Sequence, residues 1–106
     1  MINPIFVWQN QLLKKIHPEE ILFFSAEGNY IKVFLRDESP IVFRSTLSGI
    51  LKKLPRGMFI KIHRSYVVSL FYIDDIAKDH LVIDRESIPI GKQFYHSLIS
   101  QLTVIK

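Results

Sequence analysis

The decapeptide FIKIHRSYVV, residues 59–68, decides how this chain folds. Its two apolar, β-branched halves are typical of strands. In one continuous strand, Arg64 would share a face with Ile60, Ile62, Tyr66 and Val68, because side chains alternate between the two faces. An unpaired charge in such an apolar row is costly to bury. The sequence therefore predicts two strands joined by a turn near His63, with Arg64 projecting outward.

An arginine on a short turn between two buried segments suits recognition of a polar, anionic partner. The competing interpretation is a solvated surface charge, with Ser65 as an ordinary turn residue. His63, Arg64 and Ser65 alone leave both interpretations open, so the rest of the chain must decide between them.

Length and composition indicate one globular domain. The chain has 106 residues, 48% of them hydrophobic and 23% charged. The absence of cysteine excludes disulfides and cysteine-ligated zinc. The first residues lack the basic and apolar segments of a signal peptide, and no stretch approaches the roughly 20 apolar residues of a membrane span. These features favour a cytoplasmic protein that is not embedded in a membrane.

The pattern of apolar runs and turn residues predicts a mainly β fold with short helices. Antiparallel strands over residues 20–44, around residues 59–68 and over residues 81–90 favour a small sandwich or open barrel. Ser45 and Thr46 are positioned to cap a helix over about residues 46–54, and a second helix is expected over about residues 92–100. Residues 71–76 are interpreted as an irregular connection. Residues 1–15 are interpreted as an N-terminal arm, a short helix or a linker, and residues 16–106 as the domain.

The charged and polar residues favour anion recognition over catalysis. The net charge is +4, and donors lie at three breaks between predicted elements: Asn29-Tyr30, Arg64 and Lys92-Gln93. The four histidines could supply an acid–base pair but share no local motif (His17, His63, His80 and His96). There is no glycine-rich phosphate loop, and Asp84 with Glu86 fits an acidic hairpin turn better than a metal site. We therefore expect no enzyme activity, metal or cofactor.

Four motifs in chain order resemble a LytTR-type DNA-binding domain. They are Ala26–Tyr30 (AEGNY), Arg44–Leu47 (RSTL), residues 59–68, and Ile88–Lys92 (IPIGK). The resemblance extends from about residue 16 to about residue 99. Two positions depart from the family pattern: Ser69 replaces a usual asparagine, and Lys92 replaces a frequent arginine. Because lysine lacks the bidentate fork that arginine offers to guanine, readout at Lys92 is expected to be weaker or directed to phosphate.

The resemblance implies a compact, mostly β fold that binds double-stranded DNA through loops entering its grooves, without a recognition helix. It also implies the output end of a bacterial two-component response regulator, whose receiver domain would lie upstream in a longer parent chain. Family members tend to bind paired direct repeats, which implies two copies per site and a weak or DNA-induced dimer. The alternative is a basic module that meets a protein or membrane surface; a nuclease is a weaker rival.

On this resemblance, the expected DNA-binding residues are Asn29, Tyr30, Lys32, His63, Arg64, Ser65, Lys92 and Gln93. We hypothesise that Arg64 contacts a base edge, and that Lys92 and Asn29 contact DNA from neighbouring loops. His63 is expected mainly to brace the Arg64 turn. The competing hypothesis is that His63 contacts DNA itself and Arg64 contacts only phosphate.

Overall fold

A computed structural model of the chain describes residues 2–106, in which all strand pairs are antiparallel. The strands are β1 (Ile5–Gln9), β2 (Leu12–Ile16), β3 (Ile21–Glu27), β4 (Tyr30–Leu35), β5 (Ile41–Arg44), β6 (Phe59–His63), β7 (Tyr66–Ser69), β8 (Asp75–Ile76), β9 (His80–Ile83) and β10 (Glu86–Pro89). The α-helices are α1 (Leu47–Leu51) and α2 (Tyr95–Ser100). Short 3-10 helices cover Pro18–Glu20, Leu70–Tyr72 and Lys92–Phe94.

A five-stranded sheet in the order β5-β4-β3-β7-β6 forms the centre of the molecule. The β1–β2 hairpin and α1 pack on its first face, where Phe24, Ile31 and Val67 are buried. A three-stranded sheet in the order β10-β9-β8 and helix α2 pack on its second face. The mainly β, layered architecture expected from the sequence is confirmed.

Side chains along the central strands point alternately to the two faces of the sheet, and apolar side chains on each face form one of the two cores. In β4, for example, Ile31 and Val33 are buried on the first face, whereas Lys32 and Phe34 lie on the second. Phe23 of β3 stacks on Phe34 at 4.3 Å between ring centroids and joins the second core. The central sheet is thus apolar on both faces over most of its area.

The N-terminal segment does not form the short helix that was one of the three interpretations of the sequence. It forms the β1–β2 hairpin, in which Trp8 lies opposite Leu13. The turn residues Asn10 and Gln11 both have positive φ, of 49° and 66°. Trp8, Leu12 and Ile16 have the i, i+4, i+8 spacing typical of a helix, but only Ile16 of the three is buried, so they do not form one apolar face. The short-helix interpretation of this segment is therefore wrong.

Most other predicted elements are present. β3, β4 and β5 form the expected meander, and β9 and β10 the expected hairpin with Pro89 on an edge strand. Thr46 caps α1 by accepting a hydrogen bond from the Gly49 N–H at 3.1 Å, although α1 is shorter than expected. The connection over residues 71–76 contains the short strand β8, which the sequence did not indicate.

None of the helices in the described part of the chain has the length and apolarity needed to cross a bilayer.

Candidate nucleic-acid interface

Three loops that contain candidate DNA-binding residues lie at one end of the central sheet, which we call the loop end. It comprises the β3–β4 turn (residues 28–29), the β6–β7 turn (residues 64–65) and residues 91–93. The strand order explains the first two: β3 and β6 run toward this end, and β4 and β7 start from it. The convergence therefore follows from the pairing of β3 with β7, which are distant in the sequence.

Backbone hydrogen bonds join these loops to one another. The Ala26 N–H donates to the Ser65 carbonyl at 2.9 Å, which ties the end of β3 to the β6–β7 turn. The Gly91 N–H donates to the Ile62 carbonyl at 2.8 Å, which fixes residues 91–93 beside the end of β6. The loop end is thus a bonded unit and not three independent loops.

The Arg64 turn has the form expected from the sequence. β6 ends at His63, β7 begins at Tyr66, and Arg64 is exposed between them. The Ser65 N–H donates to His63 Nδ1 at 3.1 Å. The His63 ring also meets the Tyr66 ring edge-on, with 5.5 Å between centroids. The imidazole therefore closes the turn while the Arg64 side chain stays in solvent.

Lys92 and Gln93 are exposed in a 3-10 helix that follows Gly91. Gly91 lies in close contact with Phe94: a Cβ at position 91 would be 2.9 Å from Phe94 Cδ2. Because the Gly91 N–H is also bonded to β6, the lysine is held at a fixed place in the loop end.

Asn29, Tyr30 and Lys32 occupy the β3–β4 turn and the start of β4. Asn29 is exposed, and its carbonyl accepts from the Ser45 N–H at 3.3 Å. Tyr30 pairs with Arg44 across β4 and β5. Lys32 is half-buried, and its Nζ lies 5.3 Å from the Phe34 ring centroid. The structure thus places all eight candidates in or beside the loop end.

Arg44 also lies at this end but was not among the candidates. It is exposed at the last position of β5, next to the residue that bonds to Asn29. Its position directly before the predicted helix cap Ser45-Thr46 could have indicated that it ends a strand and lies near a turn. Because Arg44 is the last residue of β5, its side chain lies close to the start of β4, the neighbouring strand.

The loop end is predominantly basic. In the described part of the chain, none of Lys32, Arg44, Arg64 and Lys92 takes part in an ion pair. Two acidic side chains, Glu27 and Asp79, lie nearby: Glu27 pairs with Tyr30, and the Asp79 carbonyl accepts from the Ile90 N–H at 2.9 Å.

A hydrogen bond from His80, together with its charge, lowers the pKa of Asp79 below its usual value; its carboxylate oxygen lies 2.7 Å from His80 Nδ1. The Asp79 carboxylate is thus engaged by this histidine, and free cationic groups outnumber free carboxylates at the loop end.

The two departures from the family pattern have different consequences. Ser69 is fully buried, and its hydroxyl accepts from the Phe71 N–H at 3.3 Å. A serine therefore closes the turn after β7 through its own side chain. Lys92 retains the positive charge without the planar fork of arginine.

The four histidines considered for catalysis lie in different parts of the fold. No cluster of three or more histidine, cysteine or acidic residues suited to a metal occurs among residues 2–106. His17 precedes β3 at one end of the sheet, and His63 ends β6 at the other.

A family model described as the LytTr DNA-binding domain matches residues 12–103. The chain belongs to this family, which is one of DNA-binding domains and not of enzymes. The match begins within β2, so the second strand of the N-terminal hairpin is part of the matched region.

Similar proteins are sensory regulators. The chain is 32% identical over 85 residues to a response regulatory protein of Vibrio cholerae, covering 73% of this chain and 33% of that protein. It is 30% identical over 89 residues to the sensory transduction protein LytT of Bacillus subtilis (78% and 36%) and 34% identical over 61 residues to LytT of Enterococcus faecalis (58% and 25%). The chain thus spans about a quarter to a third of the length of these relatives.

The fold is similar to that of the LytTr DNA-binding domain of a methyl-accepting/DNA response regulator from Bacillus cereus. The TM-score is 0.76, with 20% sequence identity and coverage of 92% of this chain and 94% of the other. The fold is therefore shared, including the arrangement of short helices around antiparallel sheets.

Proposed function

We propose that this chain binds double-stranded DNA in a sequence-specific manner, as the output domain of a bacterial response regulator. The observation that carries the proposal is the bonded loop end, where the Ala26–Ser65, Gly91–Ile62 and Ser45–Asn29 hydrogen bonds gather the candidate donors. The family to which the chain belongs supports DNA as the partner. In this proposal the loops enter grooves of the duplex without a recognition helix.

Arg64 is the proposed base-contacting residue. The backbone of its turn is bonded on both sides of Ser65, to Ala26 and to His63, whereas its side chain is exposed and not ion-paired. A guanidinium on a fixed backbone loses little conformational entropy on binding and can donate two hydrogen bonds to guanine O6 and N7. These properties support base readout by Arg64 over a passive surface charge.

The other candidates have supporting roles in the proposal. Asn29 and Lys92 flank the Arg64 turn, Asn29 from the β3–β4 turn and Lys92 from the 3-10 helix after Gly91. As a point charge, Lys92 suits phosphate. His63 and Ser65 hold the turn through their mutual hydrogen bond. Polar groups that extend the surface are supplied by Tyr30, Lys32 and Gln93.

The proposal extends to the parent protein and the binding site. Because the relatives that the chain matches are response regulators and sensory transduction proteins of greater length, we propose an upstream receiver domain in a bacterial, cytoplasmic parent. Two copies would bind paired direct repeats, associating weakly in solution and more strongly on DNA.

The experiment is selection from sheared genomic fragments followed by sequencing, and then anisotropy titration with the selected duplex and a scrambled duplex. We expect enrichment of fragments with paired repeats and tighter binding to the selected duplex. As a matched control, Arg56→Ala removes an exposed arginine at the opposite end of β6 from Arg64. It is expected to select the same fragments.

Each other result of the selection has a definite meaning. Equal retention of all fragments contradicts sequence specificity. Absence of retention at low salt contradicts DNA binding and favours a protein or membrane surface as the partner.

A further inference from the structure

The second face of the central sheet is left open over the first residues of β4 and over β5, whereas Phe34 near the end of β4 packs on the second core. The three-stranded sheet and α2 cover β3, β6 and β7, and no residue of β5 belongs to that core. In consequence Tyr30 is 50% exposed and Val42 46% exposed. We call the surface formed by Tyr30, Lys32, Val42 and Arg44 the β4–β5 flank.

Cross-strand register arranges the flank in two rows. Tyr30 lies opposite Arg44, and Lys32 lies opposite Val42. Both cations are on the face that the second layer leaves open, and neither is ion-paired in the described part of the chain. The row of Tyr30 and Arg44 continues onto β3 at Glu27, which lies opposite Tyr30 and is the acidic residue of these two rows. The flank therefore has a net positive charge.

The flank is continuous with the loop end. Arg44 is followed by Ser45, whose N–H donates to the Asn29 carbonyl at 3.3 Å. A major groove about 12 Å wide has phosphates along both walls. If the loop end enters such a groove, residues on the adjacent face of the sheet contact the phosphate backbone along one side of the groove and not the base edges.

We infer that the β4–β5 flank binds the DNA phosphate backbone beside the groove entered by the loop end, with Arg44 as the principal phosphate-binding residue and Lys32 as the second. This inference rests on the proposed function. Phosphate contacts carry no base identity, so the flank contributes equally to binding of selected and unrelated DNA. Lys32 contributes less because its ammonium lies over the Phe34 ring and its side chain is half-buried.

The test uses Arg44→Ala in the full chain, with Arg44→Lys as the charge-retaining variant and Arg56→Ala as the control. Affinities for a selected and a scrambled duplex are measured by anisotropy at several salt concentrations. Because each neutralised phosphate contributes about 0.9 to the slope of log K against log[salt], we expect Arg44→Ala to make the slope shallower by about 0.9 on both duplexes. Arg44→Lys and Arg56→Ala should keep the wild-type slope.

A second variant, which removes a negative charge from the flank row, is expected to gain affinity for DNA. Glu27→Gln removes the carboxylate from the same row, and it should strengthen binding to both duplexes at low salt because a repulsive charge is lost. Circular dichroism and thermal unfolding verify that each variant is folded.

Wild-type slope and affinity for Arg44→Ala, in a protein that binds DNA, overturn the inference and leave the proposed function intact. Loss of affinity for the selected duplex alone also overturns it, because Arg44 would then read bases. Absence of DNA binding by the wild type overturns both proposals.

Discussion

Arg64 combines a fixed backbone with an exposed side chain, and this combination leads to a distinct mutational signature. Arg64→Ala should lower affinity for the selected duplex by about 1–3 kcal/mol relative to a scrambled duplex, because a bidentate base contact is lost. Lys92→Ala should lower affinity for both duplexes to a similar extent, since a lysine acts as a point charge. Anisotropy titrations with both duplexes measure the two effects.

Arg56→Ala is the control for the Arg64 experiment, since it removes the same charge from the opposite end of β6. Each variant must show the wild-type circular dichroism spectrum, because the β6–β7 turn is part of the fold. Equal losses on selected and scrambled DNA for Arg64→Ala would make this arginine a phosphate clamp and not a base reader.

His63 is expected to stabilise the β6–β7 turn through its Nδ1, which accepts a hydrogen bond from the Ser65 N–H, and this effect can be measured separately from DNA binding. His63→Ala should leave this half-buried donor without a partner and lower the free energy of unfolding by about 1–3 kcal/mol. His63→Asn should recover much of the loss, because an asparagine side chain commonly accepts from the N–H two residues on. Denaturant unfolding measures stability, and anisotropy measures DNA affinity.

If His63 only braces the turn, stability and affinity recover together in His63→Asn. Recovery of stability without recovery of affinity would instead make His63 a DNA-contacting residue.

The residue types at the loop end could be identified from the sequence, but their mutual positions could not. The alternation of side chains along a strand predicted that Arg64 leaves the apolar face through a turn, and the structure confirms this turn. The bond between Gly91 and Ile62 could not be anticipated, because it joins a loop to a strand end that is remote in the sequence. Arg44 was missed because its neighbours Tyr30 and Asn29 come from another element.

The β3–β4 turn depends on one glycine. Gly28 has φ of +60°, and a Cβ there would meet no atom within 4 Å. The cost of Gly28→Ala therefore comes from backbone strain without steric overlap, and we expect a loss of about 1–2 kcal/mol in the free energy of unfolding. Affinity for DNA should also fall, since Asn29 and Tyr30 follow directly.

Ser48→Ala on the exposed side of α1 is the comparison for Gly28→Ala, and it should have little effect or be slightly stabilising. Both variants are measured by denaturant unfolding. Equal stability of Gly28→Ala and the wild type would contradict the strained turn.

Elements with strong local signals were predicted well, and elements that depend on distant contacts were not. The meander and the α1 cap follow from alternation, turn residues and a capping threonine. The β1–β2 hairpin lacks such a signal, because its turn residues Asn10 and Gln11 include no glycine. It is positioned by packing on the first core, to which Ile5, Val7 and Ile16 contribute.

Binding to DNA through several phosphate contacts requires a strong dependence of affinity on salt. If Lys32, Arg44 and Lys92 each neutralise a phosphate, log K should fall against log[salt] with a slope of about −3. Titrations of the selected duplex at increasing salt give the slope directly. Affinity that stays flat from low to moderate salt would argue for a partner without a phosphate backbone.

DNA binding by the loop end is tested most directly by a map of backbone amide chemical shifts in the ¹⁵N-labelled chain on addition of the selected duplex. We expect the largest changes in the loop end and the adjoining end of β5, which comprise residues 28–30, 44–46, 63–65 and 91–93. Residues 36–40, 55–57 and 84–85, in loops at the opposite end of the strands, should change little. Changes concentrated in those loops, or in the β1–β2 hairpin, would contradict DNA binding by the loop end.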